Sequence, residues 1–310
     1  MIVRRTLPEE NIPAIASAVT IGTFDGVHLG HRKIIHRLTE TAAANRLKSI
    51  VFTFFPHPRM VLQQDPDLKL INTLDEKTDI LKDAGVDELI IYPFTKAFSR
   101  LGAREFVHDI LVTKLGAKKV IIGYDHRFGR NRTATIDDMR AFGTAFAFEV
   151  EEIPAEEINA ISISSTKIRN ALINGDIQAA NACLGYEFML SGTVSRGKGL
   201  GRQLGFPTAN LQIEEPYKLI PKTGAYVIKS VMDGRLVYGM MNIGFNPTVN
   251  GERKTIEIHF FDLNRKLYGH NIRVELLTRL RDEQRFESLK ALKVQLAKDR
   301  QKALQYLHHA

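Results

Sequence analysis

Two histidines three residues apart, His28 and His31, lie in the stretch of the chain best suited to phosphate chemistry. This stretch, residues 22–31, reads Gly-Thr-Phe-Asp-Gly-Val-His-Leu-Gly-His. Glycine lets the backbone approach a ligand closely, and the start of a helix offers free N–H groups and a positive dipole end to a phosphate. Both histidines would then face the same ligand. A plain strand-to-helix turn with surface histidines has the same local pattern and remains the alternative.

The residues on either side predict the elements that position this turn. Residues 18–21 are apolar with a β-branched bias, which is typical of a buried strand. After the turn, apolar residues recur at the three- and four-residue spacing of an amphipathic helix, namely Ile34, Ile35, Leu38 and Ala42. The turn is therefore predicted to join a strand to a helix.

His57 lies in a second predicted turn. A strand predicted over residues 49–55 is followed by Pro56-His57-Pro58, and proline cannot donate to a strand ladder. His57 would then lie at the carboxyl end of a strand, where open α/β sheets bind ligands. A rigid turn with an incidental histidine is the alternative.

Two further stretches combine polar donors with cations. Residues 123–132 follow a strand predicted at 120–122 and contain three arginines, whose guanidinium groups match phosphate oxygens. They predict a loop that closes over phosphates, with a solvated basic loop as the alternative. Residues 164–169 read Ser-Ser-Thr-Lys-Ile-Arg, whereas a simple helix cap needs one hydroxyl. They predict a second helix start that binds phosphate.

The rest of the first half predicts strands that alternate with helices. Further strands are predicted at 88–92 and 146–150. Helices are predicted from the capping box at Thr73 to Gly85, over 106–116, and from 176 to about 184. This alternation predicts an α/β fold, a mostly parallel sheet with helices on both faces.

The sequence pattern changes near Gly185, from alternating strands and helices to successive strands joined by tight turns. Strands are predicted at 226–231, 236–243, 255–262 and 272–280, with an Asp-Gly hairpin turn at 233–234. No helical pattern separates them, which predicts a small antiparallel barrel or sandwich, closed by a helix over 285–307. The predicted domains are therefore residues 1–185 and 186–310.

Residues 192–211 are the most concentrated stretch of the second domain. Glycines alternate there with Arg196, Lys198 and Arg202, and such a loop suits the covering of a triphosphate. Thr208 and Asn210 offer neutral oxygens two residues apart, which suit a hard cation such as Mg²⁺. A flexible basic loop is the alternative.

The composition of the chain limits which classes of protein and of metal site are possible. The chain of 310 residues is long enough for two domains, and its 44% hydrophobic content is ordinary for a globular protein. The formal net charge of +8 suits a binder of polyphosphate, nucleic acid or anionic membrane, but the charge is spread along the chain. The single cysteine, Cys183, excludes an internal disulfide and a cysteine-built metal site. With no secretory signal and no membrane-spanning run, a cytoplasmic location is expected.

Together these motifs resemble the bacterial bifunctional riboflavin kinase/FMN adenylyltransferases, or FAD synthetases, over nearly the whole chain. The N-terminal motifs are residues 22–31, 55–58, 123–129 and 163–169, and the C-terminal motifs are 201–210, 242–248, 256–259 and 267–269. The first motif is shared with the wider nucleotidylyltransferase superfamily, whereas the kinase motif at 207–210 is much more specific. The chain departs from the pattern at His126, where an aromatic residue is common, and at 133–135, which lack a glycine.

The resemblance implies two reactions. The C-terminal barrel would transfer the γ-phosphate of ATP to the 5′-hydroxyl of riboflavin, with Glu257 as the base and Thr208 and Asn210 holding Mg²⁺. The N-terminal, Rossmann-like domain would join the resulting FMN to AMP from a second ATP, which gives FAD and pyrophosphate. The attacking phosphate has a second pKa of about 6 and needs no general base. His28 and His31 would instead stabilise charge on the reacting phosphates.

The resemblance also implies the binding residues. Those for ATP and its phosphates in the adenylyltransferase are Gly22, Phe24, Asp25, Gly26, Gly30, Ser164, Ser165, Thr166, Lys167 and Arg169. Those for the flavin or nucleotide there are Pro56, His57, Pro58 and Asp125. Those for ATP in the kinase are Lys198, Gly199, Gly201, Arg202, Gly205, Pro207, Thr208 and Asn210. Arg281 would help to hold the flavin or the nucleotide in the kinase.

Two other functions fit parts of the sequence. One is a nucleotidylyltransferase for another phosphorylated acceptor, against which the motif at 201–210 argues. The other is a flavin- or RNA-binding regulator without turnover. The joint presence of His28, His31, Thr208, Asn210 and Glu257 argues against that second function. The expected partners are therefore the small molecules riboflavin, FMN and ATP, with no nucleic acid, membrane or obligate protein partner.

Overall fold

Two compact units make up the chain. The structure, a computed structural model, describes residues 1–9, 15–62, 65–155, 163–196, 200–248, 251–263 and 265–309. Contacts divide the chain into Met1–Ser165 and Thr166–Ala310. The boundary between functional domains at residue 185 stays a prediction.

A parallel sheet forms the centre of the first unit. Its strands are β1 (Ile2–Arg4), β2 (Ser17–Ile21), β3 (Lys48–Phe55), β4 (Glu88–Pro93), β5 (Ala117–Gly123) and β6 (Glu149–Ile153). Among the described residues the strand order is β1-β4-β3-β2-β5-β6, and every pair is parallel. The predicted parallel sheet is confirmed, although β1 was not predicted. The carboxyl ends of β2 to β5 share one edge of the sheet, where ligands bind in open α/β folds.

Helices cover both faces of this sheet. They are α1 (Leu29–Asn45), α2 (Pro58–Val61), α3 (Leu74–Asp83), α4 (Ala103–Glu105), which continues as a π-helical stretch over Phe106–Lys114, and α5 (Ile136–Phe146). On one face, Leu38 of α1 and Leu81 of α3 belong to the same buried cluster as Val51 of β3. On the other face of the sheet, Leu111 and Met139 belong to a second buried cluster, together with Val19 of β2 and Phe52 of β3. The predicted two-sided arrangement is confirmed.

The strand predicted at 146–150 begins later than expected. Helix α5 continues through Phe146, and the chain leaves it at Ala147 in the left-handed conformation, with φ of 59°. Phe146 stacks on Phe142 one turn earlier, with ring centroids 6.1 Å apart. This packing on one helix face outweighs the strand propensity of the Phe-Ala-Phe sequence, so β6 starts only at Glu149.

A closed antiparallel barrel forms the second unit, as predicted. Two helices precede it, α6 (Ser165–Asn174) and α7 (Ile177–Leu184). Its strands are β7 (Met189–Ser195), β8 (Ala209–Gln212), β9 (Gly224–Met232), β10 (Arg235–Thr248), β11 (Gly251–Phe260) and β12 (Asn271–Arg281). Among the described residues they close in the order β10-β11-β8-β7-β12-β9. A short helix, α8 (Leu200–Gln203), lies between β7 and β8 and was not predicted.

The predicted closing helix is α9 (Leu289–His309). Ala303 of α9 is fully buried in a cluster with Val227 of β9 and Met240 of β10. An ion pair between Arg281 and the buried Asp299 also joins α9 to β12 at 2.8 Å.

Candidate active sites

The two histidines of the first motif lie side by side at the start of α1. His28 is the N-cap residue, and its Nδ1 accepts a hydrogen bond from the backbone N–H of His31 at 3.3 Å. The two imidazole rings are stacked, with centroids 3.6 Å apart and planes inclined by 15°. The pair therefore presents two imidazoles next to the free N–H groups of the first helical turn, an arrangement suited to phosphate.

Both imidazoles are neutral at physiological pH. Burial lowers the pKa of His28 from 6.5 to about 4, although the Asp25 carboxylate opposes this shift. Burial also holds the pKa of His31 well below its usual value, and electrostatic repulsion from His28, were it protonated, and from Lys77 adds to the effect. Because Nδ1 of neutral His28 accepts a hydrogen bond, its proton is on Nε2, which is then a donor. Nδ1 of His31 is buried without a hydrogen-bond partner among the described residues.

The glycines and Asp25 shape the turn that carries these histidines. Gly26 has a φ of +84°, and a Cβ on it would lie 2.9 Å from a methyl group of Ile71. A Cβ on Gly22 would meet the Phe24 ring at 3.1 Å. The buried carboxylate of Asp25 accepts a hydrogen bond from the Ile71 N–H at 2.9 Å, which ties the turn to the chain before α3. Asp25 thus braces the turn, and its predicted contact with ATP stays a prediction.

The hydroxyl-rich motif lies at the start of α6. The Ser165 hydroxyl donates to the backbone carbonyl of Asp25 at 2.9 Å, so this serine reaches the histidine turn. Ser164, Thr166 and Lys167 are exposed, whereas Arg169 is buried. Gly30, in the first turn of α1, is also buried. The phosphate-binding roles predicted for these residues stay predictions.

A cavity with a basic lining lies beside the loops that follow β3, β4 and β5. Its volume is about 280 Å³, and its walls are Leu62, Lys96, Ser99, Arg100, Arg130 and Asn131. None of the three cations forms an ion pair with a residue in the described ranges. Sequence reasoning included Arg130 in a phosphate-closing loop but missed Lys96 and Arg100. Their position just after β4, at the ligand-binding edge of the sheet, was the available signal.

The other residues predicted for the flavin or nucleotide lie at this same edge. His57 is the N-cap of α2, and its Nδ1 accepts from the backbone N–H of Arg59 at 3.2 Å. Pro56 follows a cis peptide bond and is exposed, Pro58 is the first residue of α2, and Asp125 is exposed. Their ligand contacts stay predictions.

His126 packs as an aromatic residue would. Its ring lies 6.0 Å from that of Phe128, with planes inclined by 20°. Burial, assisted by the charge of Arg132, lowers the pKa of His126 to about 4. Its Nε2 is buried and has no hydrogen-bond partner in the part of the chain that the structure describes. Ala134, in the segment 133–135 that lacks a glycine, is buried and pairs through its backbone with Phe128.

In the barrel, strand register assembles the proposed kinase residues. Glu257 of β11 lies directly opposite Asn210 of β8 on one side and Asn242 of β10 on the other. Directly opposed residues of antiparallel strands point to the same face, with Cβ atoms about 5 Å apart. Thr208 comes just before β8, in the loop that leads into this strand. Sequence reasoning quoted the motif that begins at Asn242 but gave this residue no role.

The loop before β8 packs tightly against the kinase motif. A Cβ on Gly201 would lie 2.3 Å from the Phe206 carbonyl oxygen and 3.1 Å from the Thr208 hydroxyl, so only glycine fits without a shift. Gly205 has a φ of +84°. Nδ1 of His259 in β11 donates a hydrogen bond to the Pro207 carbonyl oxygen at 2.9 Å, and burial lowers the pKa of this imidazole. These contacts fix the backbone that carries Thr208.

A small cavity adjoins this loop. It measures about 80 Å³, and its walls include Arg202, Pro207 and Thr208 together with Lys266 and Tyr268. The cavity thus unites two stretches of the kinase motif that are far apart in sequence. Lys198 and Gly199, also predicted to bind ATP, lie outside the described residues.

The guanidinium group of Arg281 contacts Asp299 of α9 and the backbone of Asp282. Its Nε and one terminal nitrogen contact the Asp299 carboxylate at 3.0 and 2.8 Å, and its other terminal nitrogen donates to the Asp282 carbonyl at 2.9 Å. The guanidinium group therefore fastens β12 to α9. Its predicted contact with flavin or nucleotide stays a prediction.

The described residues contain neither a membrane-spanning helix nor a cluster of three metal-binding side chains. No helix there is long and apolar enough to cross a membrane. Likewise, no group of three His, Cys, Asp or Glu side chains in those residues could hold a metal ion. The oxygen donors opposite Glu257 are of another kind, the side-chain amides of Asn210 and Asn242, and a carboxylate with neutral oxygens suits Mg²⁺.

Comparisons with known proteins match both units. The FAD synthetase family model matches residues 12–167, and the riboflavin kinase model matches residues 184–307. The bifunctional riboflavin kinase/FMN adenylyltransferase of Bacillus subtilis is 36% identical over 298 residues, which cover 94% of this chain and 92% of that protein. The Escherichia coli K12 enzyme of the same name is 36% identical over 93% of this chain and 91% of its own length.

A solved structure extends the likeness to the whole fold. A crystal structure from Streptococcus pneumoniae, described as a macrolide-efflux protein, superposes with a TM-score of 0.87 at 32% identity. The match covers 97% of this chain and 98% of that one. With both family models and two full-length relatives in agreement, the chain belongs to the family of bifunctional riboflavin kinase/FMN adenylyltransferases.

Proposed function

We propose that this chain phosphorylates riboflavin with ATP in its barrel and adenylylates the resulting FMN with a second ATP in its N-terminal unit. The observation that carries the proposal is that each matched region holds a separate polar site suited to its own reaction. Glu257 with its two neighbouring asparagines forms one site, and the stacked pair His28 and His31 forms the other.

In the kinase, Glu257 accepts the proton of the riboflavin 5′-hydroxyl as that oxygen attacks the γ-phosphate of ATP. Glu257 is half-buried on β11. Thr208 and Asn210 would hold Mg²⁺, which neutralises charge on the ATP phosphates. Arg202, at the small cavity, binds the same phosphates.

In the adenylyltransferase, the residues bind charge rather than move a proton. The FMN phosphate is already anionic near neutral pH, since its second pKa is about 6. Neutral His28 donates from Nε2, and His31 lies beside it to contact the same phosphates. Donors that are already aligned stabilise the charge that develops on the α-phosphate and on the departing pyrophosphate.

The 280 Å³ cavity is the proposed acceptor pocket for FMN. Lys96, Arg100 and Arg130 give it a positive field, while Leu62 offers an apolar wall. FMN combines an anionic phosphate with a broad aromatic ring, and it fits such a lining better than a neutral sugar or a cation would. We expect the enzyme to act on these small molecules in the cytoplasm, without nucleic acid, a membrane or an obligate protein partner.

The direct test is to incubate the purified chain with riboflavin, ATP and Mg²⁺ and to separate the flavins by chromatography. FMN should appear first and FAD later, with one pyrophosphate released for each FAD. A parallel reaction with a chelator should form neither product. If neither flavin exceeds the level in a reaction without enzyme, the proposed function is wrong.

A further inference from the structure

A buried lysine reaches the histidine turn from helix α3. Lys77 is only 3% exposed, and its Nζ donates a hydrogen bond to the backbone carbonyl of Thr23 at 2.7 Å. The same carbonyl accepts a second hydrogen bond, from the Thr53 hydroxyl of β3, at 3.1 Å. Thr23 belongs to the turn that carries His28 and His31, so both contacts hold the backbone of the candidate adenylyltransferase site.

The surroundings of Lys77 do not compensate its charge fully. Burial of an ammonium group is unfavourable unless a counter-ion or hydrogen bonds offset it. Asp25 supplies a favourable negative charge, but no ion pair of Lys77 within 4.0 Å occurs among the described residues. Glu76, the neighbouring buried carboxylate, accepts the Thr73 N–H at 2.9 Å in the capping box of α3. Replacement of buried charges by apolar side chains is often neutral or stabilising, so the presence of a lysine here indicates a role for its charge.

The positive charge of Lys77 also affects His31, one of the two stacked histidines. The positive charge of Lys77 is one of the causes that hold His31 in its neutral form, after burial and the neighbouring His28. A neutral imidazole can donate from one nitrogen while its other nitrogen stays unprotonated. The Thr23 carbonyl and the His31 ring are thus both under the influence of one side chain that lies outside the glycine-rich motif.

We propose that Lys77 is a positioning residue for adenylyl transfer. Its ammonium group fixes the Thr23 carbonyl and thereby the turn that carries both histidines. The proposal rests on the proposed function of this site. It extends that function to a residue on a different helix, outside the glycine-rich motif.

This role of Lys77 predicts that the rate of FAD synthesis falls at alkaline pH, which gives its pH–rate profile an alkaline limb. Burial lowers the pKa of Lys77 from 10.5 to about 8, against the opposing effect of Asp25. The charged or titratable groups that face it are Asp25 and His31 from the turn, with Glu76 adjacent on its own helix. The charged lysine is the active form, so FAD synthesis from FMN should fall as the pH rises through about 8. The kinase reaction, in the other unit, should not share this limb.

Three substitutions separate the hydrogen bond from the charge. Lys77→Met removes both and should lower kcat for FAD synthesis about tenfold to a hundredfold, the equivalent of one charge-assisted hydrogen bond, with a smaller change in KM for ATP. Lys77→Gln keeps a donor without the charge and should retain an intermediate rate without the alkaline limb. Lys77→Arg keeps both, and its limb should move beyond the measurable range because guanidinium does not titrate there. Lys82→Met, on the exposed side of α3, is the matched control and should behave as the unmodified enzyme.

Several results would overturn the proposal. One is a Lys77→Met variant that melts like the unmodified chain and keeps kcat within about twofold. Another is an alkaline limb near pH 8 that persists unchanged in Lys77→Arg. If Lys77→Met does not fold, the pH profiles of the Arg and Gln variants decide the matter. An unmodified chain that makes no FAD at all would instead refute the proposed function.

Discussion

Replacement of His126 by phenylalanine should make the N-terminal unit less sensitive to acid. The His126 ring already stacks on Phe128, and its buried Nε2 has no partner among the described residues. Phenylalanine keeps the stacking and removes the unsatisfied nitrogen. An aromatic residue at this position should therefore be tolerated at neutral pH and favoured at acidic pH.

The magnitude follows from the shifted pKa. Burial lowers the pKa of His126 from 6.5 to about 4, so between these values the unfolded chain binds a proton that the folded chain does not. The free energy of unfolding therefore falls as the pH falls through this window. Between pH 7 and pH 5 the loss attributable to one such histidine is about 2 kcal/mol. That is a large part of the stability of a typical domain, roughly 5–15 kcal/mol.

Hydrogen exchange measured by mass spectrometry can assign this effect to the correct unit. The amides of β2 and β5 report on the N-terminal unit, and those of β9 and β10 report on the barrel as an internal control. After correction for intrinsic exchange rates, His126→Phe should reduce the N-terminal loss of stability between pH 7 and pH 5 by about 2 kcal/mol. His28 and His31 should leave a residual loss in both proteins. The reasoning is refuted if the variant loses as much stability as the unmodified chain, or if the change appears in the barrel.

Substitutions at three further positions test the two sites through the rates of FMN and FAD formation. Thr208→Val removes a proposed Mg²⁺ ligand at nearly constant volume and should greatly slow the kinase, with partial recovery in excess Mg²⁺; an unchanged rate at limiting Mg²⁺ would exclude this role. His28→Ala should slow FAD synthesis about a hundredfold, whereas His28→Asn retains a donor and should lose less; equal losses would contradict stabilisation by a neutral donor. Arg130→Gln removes a cation from the 280 Å³ cavity and should raise KM for FMN while riboflavin phosphorylation is unchanged. An unchanged KM would show that FMN does not bind in this cavity.

Local signals in the sequence predicted much of the N-terminal fold. The apolar run of β2, the spacing of apolar residues in α1 and the glycines between them are all contained in about thirty residues, which suffices to predict the turn and its histidines. The capping box at Thr73 was equally local and is present as predicted. By contrast, β7 and β8 were not predicted, because their ladders depend on distant pairing with β12 and β11. Hydrophobic period alone does not reveal such strands.

The parts of the sites that sequence reasoning missed are also non-local. Glu257 meets Asn210 and Asn242 only through the register of three strands. Lys77 reaches Thr23 only because α3 packs beside the turn, and the sequence around Lys77 is that of an ordinary helix. The pairing of Arg281 with Asp299 of α9 is also non-local and was not predicted. The contact of Arg281 with flavin or nucleotide, which the resemblance implies, stays a prediction.

The central claim, two reactions in two separately folded sites, is tested most directly by a pair of variants assayed for both products. Glu257→Ala should form no FMN from riboflavin, yet it should convert supplied FMN to FAD at the rate of the unmodified chain. His31→Ala should show the opposite pattern, with normal FMN formation and a large loss of FAD synthesis. Comparable loss of both activities in either variant, with folding intact by hydrogen exchange in both units, would contradict the account.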